Sequence, residues 1–427
     1  MMVAVLFVSF LVLVFLGMPI AFALGLACII AIGGFMDAVS LQVFVQRLFG
    51  GINSFPLMCI AFFILAGDLM SKGNLTNKLV KFANVFVGRI PGGLAHVNVL
   101  ASMFFGGISG SANADVSSLG PLEISMMEKA GYDREFSVAI TCASATIGVI
   151  IPPSIPMVIY AMSAGNISIS NMFIGGIIPG IIIGLSLMLT CYFFAKKRHY
   201  PKEEKHGAKE NIKDILQGIP PCFLFVIILG GVLLGIFTPT ESSVIAALYA
   251  LILTVFVYRS IRITDLPKII INSAVSTATV LFLVGVSTSF SYVLAYAKVP
   301  QMVAQFIIGI TESRAIIYLL MFAVFLFIGM FMDMGCSIII LTPIFLPLAV
   351  ELGMNPIHFG MFMITALSIG LYTPPVGSVL FIGCNVGRVS IEKGAKACIP
   401  FWIVTSLAVI LIAFVPEITL WLPSVLS

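Results

Sequence analysis

Four short stretches interrupt long apolar runs with residues that could do chemistry at membrane depth. Residues 105–115 (Phe-Gly-Gly-Ile-Ser-Gly-Ser-Ala-Asn-Ala-Asp) and 329–337 (Gly-Met-Phe-Met-Asp-Met-Gly-Cys-Ser) are rich in glycine or small polar residues between apolar arms, as the tip of a re-entrant hairpin requires. Residues 148–156 and 370–377 carry the pairs Pro152-Pro153 and Pro374-Pro375, which remove amide donors and clash with the preceding turn, so that carbonyls leave the helical ladder. Freed carbonyls and helix C-terminal ends suit a small cation, whereas helix N-termini suit a carboxylate. The expectation is one sodium ion near Gly106, Ser109, Gly148, Ile151 and Pro153, and a second near Gly329, Gly370, Thr373 and Val376. Main-chain carbonyls would supply most ligands, with a hydroxyl from Thr373. Ser111 and Asn113 are candidates for touching a substrate, or for tying the tip together. Asp115 and Asp333 are candidates because a carboxylate is costly at this depth, although capping of the hairpin helices is favoured for both. Arg388 could pair a substrate carboxylate, with anchoring at the inner surface favoured.

These elements occur twice. Ile147-Gly148 followed by Pro152-Pro153 returns as Ile369-Gly370 followed by Pro374-Pro375, an offset of 370 − 148 = 222. The same offset pairs Gly107 with Gly329, Leu119 with Leu341, Pro121 with Pro343 and Gly131 with Gly353 without a gap. It sets Asp115 on Ser337 and Asp333 on Ser111, so the two acids are not equivalents. Internal repeats of opposite topology are a common plan of secondary transporters.

The elements that must position these stretches are membrane helices. The chain is 60% hydrophobic and 9% charged, against about a quarter charged in a soluble domain. Apolar runs near the length of a bilayer span fall at 3–34, 172–195, 219–237 and 400–422. The first has no basic n-region or small-residue cleavage site, and its first charge is Asp37, so it reads as retained, as one long helix or as two if Gly17-Met18-Pro19 breaks it. Further crossings fall at 55–70, 136–164, 240–258, 269–295 and 358–387, about nine in all. On this topology nineteen of the 22 lysines and arginines, Lys205 among them, lie inside and three (Arg47, Lys298 and Arg314) outside, which satisfies the positive-inside rule. The expected fold is an all-α polytopic membrane protein of two inverted repeats, each with a re-entrant helical hairpin and a broken helix. Residues 1–54 form an N-terminal helix and outer loop. Residues 55–195 form the first repeat with an inner hairpin at 91–130, 196–268 a cytoplasmic linker and scaffold helices, and 269–427 the second repeat with an outer hairpin at 315–352. The amphipathic stretches 74–88 and 298–310 precede the hairpins as surface arms.

Other chemistry finds little support. A net charge of +4 is too small to suggest nucleic acid, no P-loop pattern is present, and the four histidines and eight cysteines show no metal-site spacing. No convergent nucleophile, base and metal set marks an enzyme. The charge run at 196–214 reads as a solvated linker, and Glu241 in Thr-Pro-Thr-Glu-Ser as the cap of a helix beginning at Thr240.

Residues 106–121, the Pro152-Pro153 break and the break at 370–377, with Leu65-Ala66-Gly67, Pro91-Gly92-Gly93, Ala130-Gly131-Tyr132-Asp133 and Thr238-Pro239-Thr240-Glu241-Ser242, make the chain similar to the large membrane subunit of TRAP (tripartite ATP-independent periplasmic) transporters. The resemblance covers nearly the whole chain. It implies an elevator-type fold in the bacterial inner membrane, coupling to Na+, a small four-helix membrane subunit as a separate fixed partner, and a periplasmic substrate-binding protein. It also implies a small organic acid as substrate, with sialic acid or another sugar acid favoured over a C4-dicarboxylate. The alternative is a stand-alone sodium-coupled carrier that needs no binding protein.

Overall fold

A computed structural model describes residues 2–36, 41–165, 167–202, 208–311 and 313–426, and all regular structure among them is helical. Asp37 and Lys205 lie outside the described residues. Eight helices among those described are long and apolar enough to cross a membrane: Phe55–Lys72, Ile169–Arg198, Lys209–Leu233, Pro239–Val257, Ile263–Tyr296, Arg314–Phe331, Met334–Glu351 and Ile391–Phe414. The chain is a multi-pass membrane protein.

Both hairpins form. The first runs Gly93–Ser109, turns at Gly110 and Ser111, and returns through Ala112–Ser118 and Gly120–Lys129; the second runs Arg314–Phe331 and Met334–Glu351. Gly110 takes φ +60°, a left-handed conformation that any side chain would strain, and so provides the turn. Both broken helices form as well. Arg134–Ala145 tightens into a 3-10 turn at Thr146–Val149 and restarts as Ile155–Ser163, while Pro356–Gly370 stops and restarts as Ser378–Gly387. Both proline pairs contain a cis peptide bond. The arms Leu75–Val87 and Val299–Ile310 each start from a residue in left-handed conformation, Asn74 and Lys298.

Several expectations change. The run 3–34 is not one crossing. It is two helices, Met2–Phe15 and Ile20–Phe35, folded back against each other at Gly17-Met18-Pro19, because Gly17 adopts φ +84° and Pro19 restarts the chain. At about 1.5 Å per residue each falls short of a hydrocarbon core of about 30 Å. The segment 105–109 stays helical, since packing rather than propensity decides the fate of Gly106 and Gly107. The run 219–237 ends at Leu233, and the last crossing is Ile391–Phe414 followed by the short helix Glu417–Leu426. The capping box sits one residue earlier than expected. Thr238 is the cap, its hydroxyl accepting the Glu241 amide at 3.2 Å while Glu241 Oε2 accepts the Thr238 amide at 2.8 Å. The charged linker is helical at both ends, through Arg198 and from Ala208.

Candidate functional site

Each hairpin meets its own broken helix glycine against glycine. A Cβ on Gly148 would stand 2.9 Å from the Gly106 Cα, and one on Gly370 would stand 2.6 Å from the Gly329 Cα. Two backbones can touch here only because neither glycine has a side chain. The contact also shows where the two halves differ by a residue. The sequence offset pairs Gly107 with Gly329, yet the packing equivalent of Gly329 is Gly106; the Gly107 position faces the Phe225 ring instead.

The first candidate ion site is assembled around this contact. Ser109, 3% exposed, ends the first arm, and its Cα packs beside Gly67 of Phe55–Lys72. Gly110 lies against the Pro153 carbonyl and the Ile155 amide. Ser154 holds the break by donating to the Val149 carbonyl at 2.6 Å and accepting the Met157 amide at 3.4 Å. Among the described residues the carbonyls of Ile151 and Pro153 accept no hydrogen bond. In the second site the loop 371–377 curls so that Gly377 approaches the Leu371 and Thr373 carbonyls, and the Gly377 amide donates to the Met330 carbonyl of the hairpin at 3.1 Å. The Gly370 carbonyl accepts the Thr373 amide at 3.1 Å, and the Thr373 hydroxyl donates to Ile369 at 2.6 Å, leaving its lone pairs. Val376 is 47% exposed.

Between the two tips lies a cavity of about 150 Å³, lined among others by Gly110, Ser111, Asn113, Ile155, Asp333 and Gly335, and by Val280 and Leu283 of Leu266–Tyr296. Three helices begin at it. Ser111 caps one, its Oγ accepting the Ala114 amide at 3.4 Å; Asp333 caps another, its Oδ1 accepting the Gly335 amide at 2.9 Å; Ser154 caps the third. The ends capped by the neutral hydroxyls of Ser111 and Ser154 favour an anion, whereas the Asp333 carboxylate already answers the third. Asn113 also ties the hairpin to the other half, since its Oδ1 accepts from Ser378 Oγ at 3.2 Å.

Two of the sequence candidates are not brought to this cavity. Asp115 does not cap. It lies beyond the helix start that Ser111 fixes, fully buried between the hairpin arms, with Ser102 Oγ donating to its Oδ1 at 3.1 Å. Arg388 closes Ser378–Gly387 in left-handed conformation and lines a separate groove with Phe381 and Asn385. Sequence reasoning also missed a second cavity of about 330 Å³. It lies one turn further along the same helices and is lined by Asn53, Ser54, Ser163, Ser287, Thr288 and Ser291, among others. The run Ser287-Thr288-Ser289-Phe290-Ser291 inside an apolar helix was the available signal.

Paired hairpins and broken helices, meeting at a small cavity framed by helix N-termini within a membrane bundle, define a secondary transporter. The family model described as "Tripartite ATP-independent periplasmic transporter, DctM component" matches residues 7–418, and the chain belongs to that family. It is 39% identical over 426 residues to an uncharacterized protein, YgiK, of Salmonella typhimurium, covering 100% of this chain and 98% of that one. It is 39% identical to the isethionate TRAP transporter permease protein DctMQ of Oleidesulfovibrio alaskensis, over 98% of this chain and 66% of that one. It is 36% identical to the sialic acid TRAP transporter large permease protein SiaM of Vibrio cholerae, over 96% of each. The crystal structure of the Alcanivorax borkumensis YdaH transporter superposes with a TM-score of 0.67 at 15% identity, over 91% of this chain and 90% of that one, a likeness of fold. The family's work is secondary transport of organic acids.

Proposed function

We propose that the chain is the membrane-crossing pathway of a sodium-coupled carrier in the bacterial inner membrane, taking up a small organic acid delivered by a periplasmic binding protein. A small four-helix membrane subunit is its fixed partner. The observation that carries this reading is the cavity between the hairpin tips, flanked on both sides by a broken helix packed glycine to glycine on its hairpin. An anion held by the helix N-termini behind Ser111 and Ser154 would sit between two carbonyl-rich breaks, so that each cation lowers the cost of the charges of the substrate and of Asp333. Because each hairpin packs glycine to glycine on its break, the two could cross the bilayer together as one body in an elevator cycle.

Isethionate and sialic acid, which name two of the relatives, share a single anionic head on a hydroxylated body, and this supports a small organic acid as the class. The test is a panel. Radiolabelled sialic acid, another sugar acid, isethionate and a C4-dicarboxylate are offered in turn to liposomes holding the chain and its small subunit, with each candidate binding protein. Uptake of one acid, competed by its own unlabelled form, is expected. Failure of all four, with a binding protein shown to be loaded, would overturn the class.

A further inference from the structure

Behind the tip of the first hairpin, outside the lining of the cavity, the two arms enclose acid groups that the transport reading does not use. Asp115 is fully buried, and its Oδ2 has no partner among the described residues. Glu123, on the returning arm beyond Pro121, is 3% exposed, and neither of its carboxylate oxygens has a partner among the described residues. Both acids lie on the returning arm, whose two stretches Ala112–Ser118 and Gly120–Lys129 each pack against Arg134–Ala145 and Ser378–Gly387. Around them Ser102 reaches Ser144 at 3.2 Å, Ser144 donates to Asn98 Oδ1 at 2.6 Å, and Asn98 Nδ2 donates to Thr141 Oγ1 at 2.7 Å.

No cationic side chain among the described residues pairs with either acid. The packed elements bring His96 from Gly93–Ser109, Cys142 from Arg134–Ala145 and Cys384 from Ser378–Gly387. At the base of the hairpin Arg134 is taken by Glu128 at 3.4 Å and Glu135 by Lys393 at 4.0 Å. Lys129 ends the same arm and Arg388 lies in its own groove. Two uncompensated carboxylates in such a place are far costlier than one bound cation. A sodium ion would need several oxygens converging on one point, and the unpartnered ones here are Asp115 Oδ2 and the two of Glu123. A proton needs one.

We propose that Asp115 and Glu123 form a proton-binding site inside the first hairpin, separate from the cavity and from both candidate sodium sites. The hairpin then enters and crosses the bilayer carrying a neutral or singly charged pair, and it releases the proton when that region is wetted.

The site is tested on the purified chain with its small subunit by infrared difference spectroscopy between about pH 5 and about pH 9, which brackets ordinary carboxyl and imidazole titration. The readout is the carbonyl stretch of a protonated carboxyl, and it requires neither substrate nor binding protein, so its failure is distinct from failure of the transport reading. The expected result is a protonated-carboxyl band that persists at neutral pH, shifts when glutamate is carbon-13 labelled, disappears as the pH is raised, and is lost in Glu123→Gln. Isotope labelling of the unaltered chain keeps the test standing where a variant does not fold. Absence of the band at neutral pH would overturn the site, as would a band unmoved by pH or by Glu123→Gln. A band removed by adding sodium at constant pH would also overturn it, because the ligand would then be sodium.

Discussion

Gly106 and Gly148 touch backbone to backbone, and Gly329 and Gly370 repeat the contact in the other half. An added methyl group has nowhere to go at either place, because its nearest neighbour is main chain rather than the end of a flexible side chain. Gly148→Ala and Gly370→Ala should each cost about 1–3 kcal/mol of stability, the usual penalty of overpacking. Gly230, with open space around its Cβ position, is the control, and Gly230→Ala within its helix should be neutral or stabilising by about 0.5–1 kcal/mol. Melting temperatures in detergent compare the three; equal behaviour would refute the contact.

Thr373 reports on the second candidate ion site. Its hydroxyl hydrogen is committed to Ile369 at 2.6 Å, so only its lone pairs remain to face a cation. Thr373→Val should raise the sodium concentration for half-maximal uptake about tenfold, equivalent to about 1.4 kcal/mol. Thr373→Ser should restore it. A Val variant with unchanged sodium dependence would remove Thr373 from the site.

These positions were legible because backbone chemistry is local. Proline pairs remove donors wherever they stand, so the breaks at Pro152-Pro153 and Pro374-Pro375 and the capping role of Asp333 could be read from the sequence alone. What required three dimensions was packing. Gly106-Gly107 reads as a helix breaker but stays helical, because its glycines are used for contact with Gly148 and Phe225. The one-residue slip between the halves is likewise invisible to an ungapped offset. Glu123 gave no signal, since a glutamate two turns before Lys129 looks like part of a charged helix end until Arg134–Ala145 and Ser378–Gly387 are packed over it.

Tyr160 joins the two halves. Its hydroxyl donates to the Pro356 carbonyl at 2.5 Å, and its ring covers Gly360, where a Cβ would strike it. Tyr160→Phe removes the bond while keeping the ring, and it should lower stability by about 1 kcal/mol. Gly360→Ala should cost more, because the buried ring has no free direction in which to move. Denaturation of the two variants, side by side, checks the order.

The box at Thr238 and Glu241 is a structural device remote from both ion sites. Thr238→Ala should cost about 1 kcal/mol, as loss of an N-cap usually does, and leave the sodium dependence of uptake unaltered. A shift in sodium dependence would mean that the helix Pro239–Ile252 takes part in coupling.

The central claim is that cations at the two breaks drive an acid through the cavity between Ser111 and Asp333. It is tested most directly by uptake of the acid chosen by the panel into liposomes holding the chain and its small subunit, with and without an inward sodium gradient and with and without the binding protein. Uptake should require both. Uptake that proceeds without the binding protein would make the chain a stand-alone carrier, and uptake indifferent to sodium would contradict the proposed ion sites.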